Sequence, residues 1–131
     1  YRLPSESEWE YAAKGGSLSK GFQFSGSNNL DLVAWYDKNS FNRTHPVGKK
    51  KPNELCVYDM SGNVFELCSD HYSAELKDIP KDGSSSKFKS NNRVIRGGSW
   101  DRPKERCKVW YRDGFLYTSR SENVGFRLAH S

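Results

Sequence analysis

Aromatic side chains in an otherwise polar chain limit the folds open to this protein. Phe (7), Tyr (7) and Trp (4) make up 14% of its 131 residues, whereas all hydrophobic residues reach only 34% and the mean hydropathy is −0.90. Disordered segments contain few aromatic residues, and each buried ring removes a large apolar area from water. We therefore expect one folded domain, or part of one, with a small aromatic core and long polar loops.

Residues 5–14 carry the signals of a single helix. Ser5 stands at the N-cap position and Glu8 follows three residues later, which is the pattern of a capping box. Trp9 and Ala13 lie four residues apart on one face of this helix. The two glycines that follow indicate where the helix ends.

Helical periodicity is absent from the rest of the sequence, and short apolar runs replace it. Residues 93–100 predict a strand that enters a glycine bend, and 109–112 and 124–129 predict further short strands. Residues 17–32 and 73–92 are polar and irregular. The pattern indicates an α+β domain with much loop.

Six segments, in the order found here, resemble the C-terminal part of the formylglycine-generating-enzyme/sulfatase-modifying-factor domain. The resemblance implies a variant of the C-type lectin fold with short, twisted, antiparallel strands. A full domain of this family has a further stretch before the Arg-Leu-Pro motif, so residues 1–131 are expected to be the C-terminal part of one domain. We expect such a piece to leave apolar surface uncovered and to associate with the missing N-terminal part. The segments are YRLPSESEWEYAA (1–13), HPVG (45–48), PNEL (52–55), YDMSGNVFE (58–66), RVIRGGSW (93–100) and NVGFRL (123–128).

The pair of cysteines that the family's enzyme uses is incomplete. That enzyme oxidises a substrate cysteine to formylglycine with two cysteines and copper. By offset the second falls on Cys107, but the first falls on Arg102. A soft two-thiolate metal site cannot be built with one thiolate, and an arginine adds a fixed positive charge. We expect no copper and no catalysis; a metal-dependent oxidase of the same family is the alternative.

The stretch 101–119 favours ligand binding. The residues between its family-like frame positions show little periodicity and resemble the variable region of diversity-generating-retroelement proteins, so 93–131 is the candidate variable region. Tyr, Trp and Arg dominate binding hot spots. A protein or a glycan is the expected ligand, and an ordinary irregular loop is the alternative. The predicted ligand-binding residues are Asp101, Arg102, Arg106, Trp110, Tyr111, Asp113, Phe115, Leu116, Tyr117 and Ser119.

In those retroelement systems, template adenines are randomised and AAC codons become codons for many residues, but never for Lys, Glu, Gln, Met or Trp. Positions with those residues should therefore be constant. In this stretch they are Lys104, Glu105, Lys108, Trp110 and Glu122.

A calcium site is implied by the family pattern D-x-x-G-x-V-x-E. The ligands would be the side chains of Asp59 and Glu66 and the carbonyl groups of Gly62 and Val64. Hard oxygen ligands around a tight turn suit calcium. The alternative is that both carboxylates accept hydrogen bonds from loop amides.

The three cysteines leave their redox state open, because none lies in a C-x-x-C pair. One disulfide plus one thiol and three thiols are both compatible with the sequence. Family resemblance implies that Cys68 and Cys107 lie by strands of one sheet, so a disulfide between them is one expectation. Cys56 stands where the family usually has glycine and is expected to be small and buried.

The net charge of +5 and the pI near 9.1 raise a nucleic-acid partner as a third possibility. The basic residues between 93 and 112 are interleaved with acidic ones, which disfavours it. No apolar run approaches the roughly 20 residues needed to cross a bilayer. The resemblance implies a cell-surface or extracellular protein of a bacterium.

Overall fold

The computed structural model describes residues 1–130, so the last residue of the candidate variable region lies outside them. These described residues form two helices, three 3₁₀ turns and one four-stranded sheet of order β3-β2-β1-β4. The helices are α1 (Glu6–Ala13) and α2 (Leu30–Val33), and the 3₁₀ turns are Gly16–Leu18, Leu76–Asp78 and Lys104–Cys107. The strands are β1 (Phe65–His71), β2 (Asn92–Arg96), β3 (Arg112–Leu116) and β4 (Val124–Gly125).

The predicted helix is confirmed as α1, together with its capping box. The Ser5 hydroxyl accepts a hydrogen bond from the Glu8 amide at 3.2 Å, and the Glu8 carboxylate accepts one from the Ser5 amide at 2.8 Å. Gly15 follows the helix at φ +96°, a left-handed conformation that glycine adopts without strain.

The sheet is built around β1 and β2, which pair antiparallel, and β3 lies antiparallel on the outer side of β2. Two strand predictions need correction. β4 pairs parallel with β1, because the chain crosses from one edge of the sheet to the other between 117 and 123. The strand expected over 109–112 begins only at Arg112, because Val109 is buried and its amide bonds to the carbonyl of Gln23.

The core consists of two small clusters, and it is less aromatic than expected, because only Trp9, Phe24 and Tyr36 contribute rings to them. One cluster surrounds Trp9, which is only 1% exposed, and the second lies under α2. The first contains Trp9, Ala13, Met60, Cys68, Val94 and Val109, and the second contains Phe24, Leu30, Val33, Ala34, Tyr36 and Cys107.

A buried ion-pair network joins the helix to the sheet. Glu6 of α1 and Arg96 of β2 are each 1% exposed and pair at 2.8 Å. Arg112 of β3 donates to the same Glu6 carboxylate at 2.5 Å, and Arg96 also reaches Glu10 at 2.5 Å. The first residue of β3 is therefore fixed to the helix through charged hydrogen bonds.

The expectations for the cysteines were wrong in two respects. All three cysteines are free, and Cys68 and Cys107 belong to different core clusters, so no disulfide joins them. Cys56 is exposed rather than buried. Its φ of +61° explains why glycine suits this position, since a left-handed backbone favours a residue without a Cβ.

We expect only the Cys56 thiol to react with a thiol reagent at neutral pH in the folded protein. Burial raises the pKa of Cys68 well above its usual value and that of Cys107 to about 12. Thiolates are the reactive species, so both buried groups should react only after unfolding. Titration with and without denaturant checks this, and two fast-reacting thiols in the native protein would contradict it.

Candidate functional site

The predicted binding stretch 101–119 combines buried anchors with exposed side chains. Cys107 and Val109 point into the core, with exposures of 0% and 2%. Trp110 is 50% exposed and Tyr117 is 61% exposed. Cys107 ends the 3₁₀ turn, and Tyr117 follows directly after β3.

Arg106, Tyr111 and Asp113 form a polar cluster on this surface. The Arg106 guanidinium lies 5.3 Å from the centroid of the Tyr111 ring and 3.6 Å from the Asp113 carboxylate. The Tyr111 hydroxyl donates to the same carboxylate at 3.3 Å. Partial burial and the negative charge of Asp113 raise the pKa of Tyr111. The cluster presents a positive group, a ring and a carboxylate next to one another.

Asp101 and Arg102 are tied more closely to the frame. The Asp101 carboxylate accepts hydrogen bonds from Ser99 at 2.6 Å and from Asn123 at 3.2 Å, and Arg102 pairs with it at 3.1 Å. Burial alone would raise the pKa of Asp101, but these three partners hold it below its usual value. Asp101 therefore fixes the start of the stretch to residue 123 rather than lying free at the surface.

The remaining predicted residues lie along and beyond β3. Phe115 is half-buried and Leu116 is 45% exposed. Ser119 is exposed, and its amide bonds to the Leu116 carbonyl at 2.9 Å. Apart from Trp110, the predicted residues thus fall into three groups: the Arg106 cluster, the pair of Asp101 and Arg102, and the far end of β3.

Three of the four predicted calcium ligands line one cavity of about 400 Å³: Asp59, Val64 and Glu66. Asp59 is buried; its Oδ2 accepts from the Gly48 amide at 2.8 Å, whereas its Oδ1 has no hydrogen-bond partner among the described residues. That orphaned oxygen fits a cation.

Glu66 fits a cation less well, because its carboxylate already has two partners. Trp9 Nε1 donates to it at 2.8 Å, and Arg127 binds both of its oxygens at 2.6 and 2.7 Å. Arg127 also donates to the carbonyl groups of Tyr58 and Asp59. Sequence reasoning missed this contact, since nothing in the sequence links an arginine near the C-terminus to a glutamate on β1.

The two positions that correspond to the copper-binding cysteines hold one buried thiol and one arginine. The Cys107 thiol is fully buried, and burial raises its pKa to about 12, which keeps it protonated at neutral pH. Arg102 is partly exposed and paired with Asp101. In the part of the chain that the structure describes, no group of three or more His, Cys, Asp or Glu side chains is placed to hold a metal ion.

Comparison with known proteins supports the family resemblance. The chain is 36% identical to the chaperone protein LppX of Paenibacillus barcinonensis, covering all of this chain and 49% of that protein. It is 32% identical both to the formylglycine-generating enzyme of Streptomyces coelicolor and to the inactive C-alpha-formylglycine-generating enzyme 2 of Bos taurus, covering 98% of this chain and 46% and 43% of theirs. The relatives thus include an enzyme and an inactive protein.

A solved structure, that of Treponema denticola variable protein 1, superimposes with a TM-score of 0.81. It is 39% identical and the match covers 95% of this chain and 45% of that one. The C-type lectin-like fold expected from the sequence agrees with this likeness. The chain spans about half the length of the curated relatives it matches. Among residues 1–130 no helix is long and apolar enough to cross a membrane.

A family model for the sulfatase-modifying factor enzyme 1-like domain matches residues 1–131. This match, the fold and the relatives agree with one another, and the chain therefore belongs to the family of sulfatase-modifying factor enzyme 1-like domains.

Proposed function

We propose that this chain is part of a non-catalytic ligand-binding domain whose binding surface is 101–119. The observation that carries the proposal is the arrangement of this stretch: Trp110 and Tyr117 are exposed on a backbone that Cys107, Val109 and Arg112 anchor. Rigid, exposed aromatic side chains supply contact area with little loss of conformational entropy on binding.

The alternative of a copper-dependent oxidase predicts turnover, and this gives the clearest test of the proposal. We expect no formylglycine when the purified protein, loaded with copper under air, is incubated with a cysteine-containing peptide. Copper would find one thiol at Cys107 where the family's enzyme offers two, because Arg102 stands at the other position. Mass spectrometry of the peptide measures the product, and the Streptomyces coelicolor relative serves as positive control. Turnover would refute the proposal.

The finer proposal is that 93–131 is diversified. The likeness to a variable protein supports it, as does the exposure of residues that template mutagenesis can generate, such as Tyr117 and Leu116. Sequencing of the neighbouring genome tests it. We expect a reverse-transcriptase gene and an adenine-rich near-copy of codons 93–131, and their absence would refute diversification while leaving ligand binding intact.

The ligand in this proposal is a protein or a glycan outside the cell, and the protein is displayed at the surface of a bacterium or secreted. Protease digestion of intact cells, followed by immunoblotting, tests the location. Loss of the protein without lysis is the expected result, and full protection would contradict it.

A second surface of the chain is apolar, and the proposal is that the N-terminal part of the domain, which precedes the Arg-Leu-Pro motif in the family, packs against it. Val47, Tyr58 and Phe126 line the cavity of about 400 Å³ and are 76%, 42% and 64% exposed. The 131-residue chain alone should bind a hydrophobic dye there, and Phe126→Ser should reduce the fluorescence. Unchanged dye binding in this variant would argue against the proposal.

Calcium binding at Asp59 remains part of the proposal. We expect calcium to raise the unfolding temperature relative to a chelator, because an ion that binds only the folded state stabilises it. Asp59→Asn should abolish the shift, since Asp59 provides the unpartnered Oδ1. Thermal unfolding followed by circular dichroism measures it, and Asp82→Asn, an exposed carboxylate in the loop, is the matched control. Equal unfolding temperatures with calcium and chelator in the unmodified protein would refute the site.

A further inference from the structure

A cavity of about 330 Å³ lies beside the 101–119 surface. Lys104 and Lys108 belong to one wall, and the segment 23–30 forms another. The amide of Val109 donates to the Gln23 carbonyl at 2.9 Å and joins the two walls. The cavity is thus held by backbone contacts rather than by mobile side chains.

Asparagine side chains supply unused donors to this cavity. The amide oxygen of Asn28 accepts from the Gln23 backbone at 2.8 Å, and that of Asn29 accepts from the Asp31 backbone at 3.2 Å. These bonds fix which end of each side chain is oxygen, so both NH₂ groups are left to donate. Neither NH₂ group has a partner within residues 1–130.

The charged residues that line the cavity are two lysines, while the carboxylates of Asp31 and Asp37 act on Tyr36 from outside the lining. Lys104 and Lys108 make no ion pair in the described part of the chain, and no Asp or Glu is among the lining residues. The Tyr36 hydroxyl, which also lines the cavity, donates to Asp31 at 2.7 Å. Burial and this carboxylate raise the pKa of Tyr36 to about 12, so it adds no negative charge at neutral pH. The two lysine ammonium groups and the unpaired NH₂ groups of Asn28 and Asn29 on the lining suit an oxyanion.

An aromatic ring adjoins the positive charge. The ammonium group of Lys108 lies 5.2 Å from the centroid of the Trp110 ring, and half of the Trp110 surface is exposed. A flat apolar ring beside hydrogen-bond donors suits a sugar ring, which has apolar C–H faces and polar edges. Nucleic acid fits less well, because Arg102 and Arg106 are paired with Asp101 and Asp113 and leave no continuous basic track for a phosphate backbone.

We infer that the ligand of the 101–119 surface is an acidic saccharide, whose sulfate or carboxylate group binds between Lys104, Lys108, Asn28 and Asn29 while a sugar ring stacks on Trp110. The inference rests on the proposed binding function and specifies its ligand class. Lys104, Lys108 and Trp110 are residues that adenine mutagenesis of AAC codons does not produce. The anion subsite would accordingly stay constant while neighbouring residues change.

Calorimetry with three oligosaccharides tests the inference: a sulfated heparin tetrasaccharide, an oligogalacturonate that carries carboxylates only, and neutral maltotetraose. We expect at least one acidic probe to bind and the neutral one not to bind. The double variant Lys104→Ala/Lys108→Ala should weaken binding about tenfold or more, since a charge-assisted hydrogen bond contributes roughly 1.5–3 kcal/mol and 1.4 kcal/mol is a factor of ten. Trp110→Ala should weaken it about fivefold, as expected for one aromatic contact.

A second double variant, Lys77→Ala/Lys87→Ala, removes the same charge from a different cavity in the 77–88 loop and should leave affinity within about twofold. Lys104→Arg/Lys108→Arg keeps the charge and should retain binding. Unchanged midpoints of urea unfolding show that the variants fold.

Absence of binding to both acidic probes would overturn the inference, and so would equal losses in the two double alanine variants. If a single-stranded oligodeoxynucleotide bound more tightly than the acidic saccharides, and if this binding required the two lysines, the ligand class would be nucleic acid instead of a saccharide. A neutral glycan or protein ligand that requires Tyr117 but not the two lysines would refute the anion subsite and leave the proposed function standing.

Discussion

Replacing Arg96 by alanine is expected to lower the free energy of unfolding by about 3–5 kcal/mol. Arg96 and Glu6 are both 1% exposed, and removal of the guanidinium leaves the Glu6 carboxylate in the core without one of its two cations. A buried charge without sufficient compensation is far more costly than an exposed one. Urea unfolding of both proteins at neutral pH, followed by circular dichroism, measures the difference.

Lys14→Ala is the matched control, because Lys14 pairs with the same Glu10 that Arg96 contacts but lies at the surface. The Lys14–Glu10 distance is 3.1 Å and both side chains are about a third or more exposed. Exposed pairs contribute at most about 1 kcal/mol, so this variant should unfold almost like the unmodified protein. Similar losses for the two variants would show that burial does not determine the contribution of Arg96.

Gly62→Ala is expected to destabilise the protein by about 3 kcal/mol, from strain and overpacking together. Gly62 has a φ of +77°, and a Cβ at this position would lie 2.4 Å from the Trp35 carbonyl oxygen and 2.9 Å from the Ala34 Cβ. Backbone atoms cannot move aside as a flexible side chain can. Thermal and urea unfolding measure the loss.

Gly48→Ala separates the two contributions, because Gly48 has the same φ of +77° but no atom within 4 Å of the added Cβ. It should show only the conformational cost, about 1 kcal/mol. If both alanine variants lost the same stability, the close approach of Gly62 to Trp35 would not matter.

Local signals in the sequence predicted those parts of the fold that local interactions determine. The capping box at Ser5 and Glu8 placed α1 to within a residue at each end. The β-branched pair Val94-Ile95, followed by Arg96 and two glycines, placed β2 and its bend. The family resemblance, read from six motifs together, supplied the architecture.

Long-range contacts could not be predicted in this way. The run from Val109 to Tyr111 has the composition of a strand, yet the Val109 side chain is buried in the core. The strand begins only at Arg112, a charged residue that does not signal a strand. β3 carries few apolar residues because it lies at the sheet edge and Gly114 packs on the ring of Tyr72. Arg127 on Glu66, and Lys104 beside Asn28, likewise join residues that are far apart in the sequence.

The network around Glu6 has a consequence for mutational tolerance. Cys107 and Val109 are fixed by the core, Arg112 by Glu6 and Gly114 by contact with Tyr72, whereas Trp110 and Leu116 are about half exposed. Under the proposed function, folding stability and binding specificity are therefore carried by different positions of one short stretch. A combinatorial library that keeps 107, 109, 112 and 114 constant and varies 106, 111, 113 and 115–119 should retain a high folded fraction, because randomised positions do not contribute the contacts on which the fold depends.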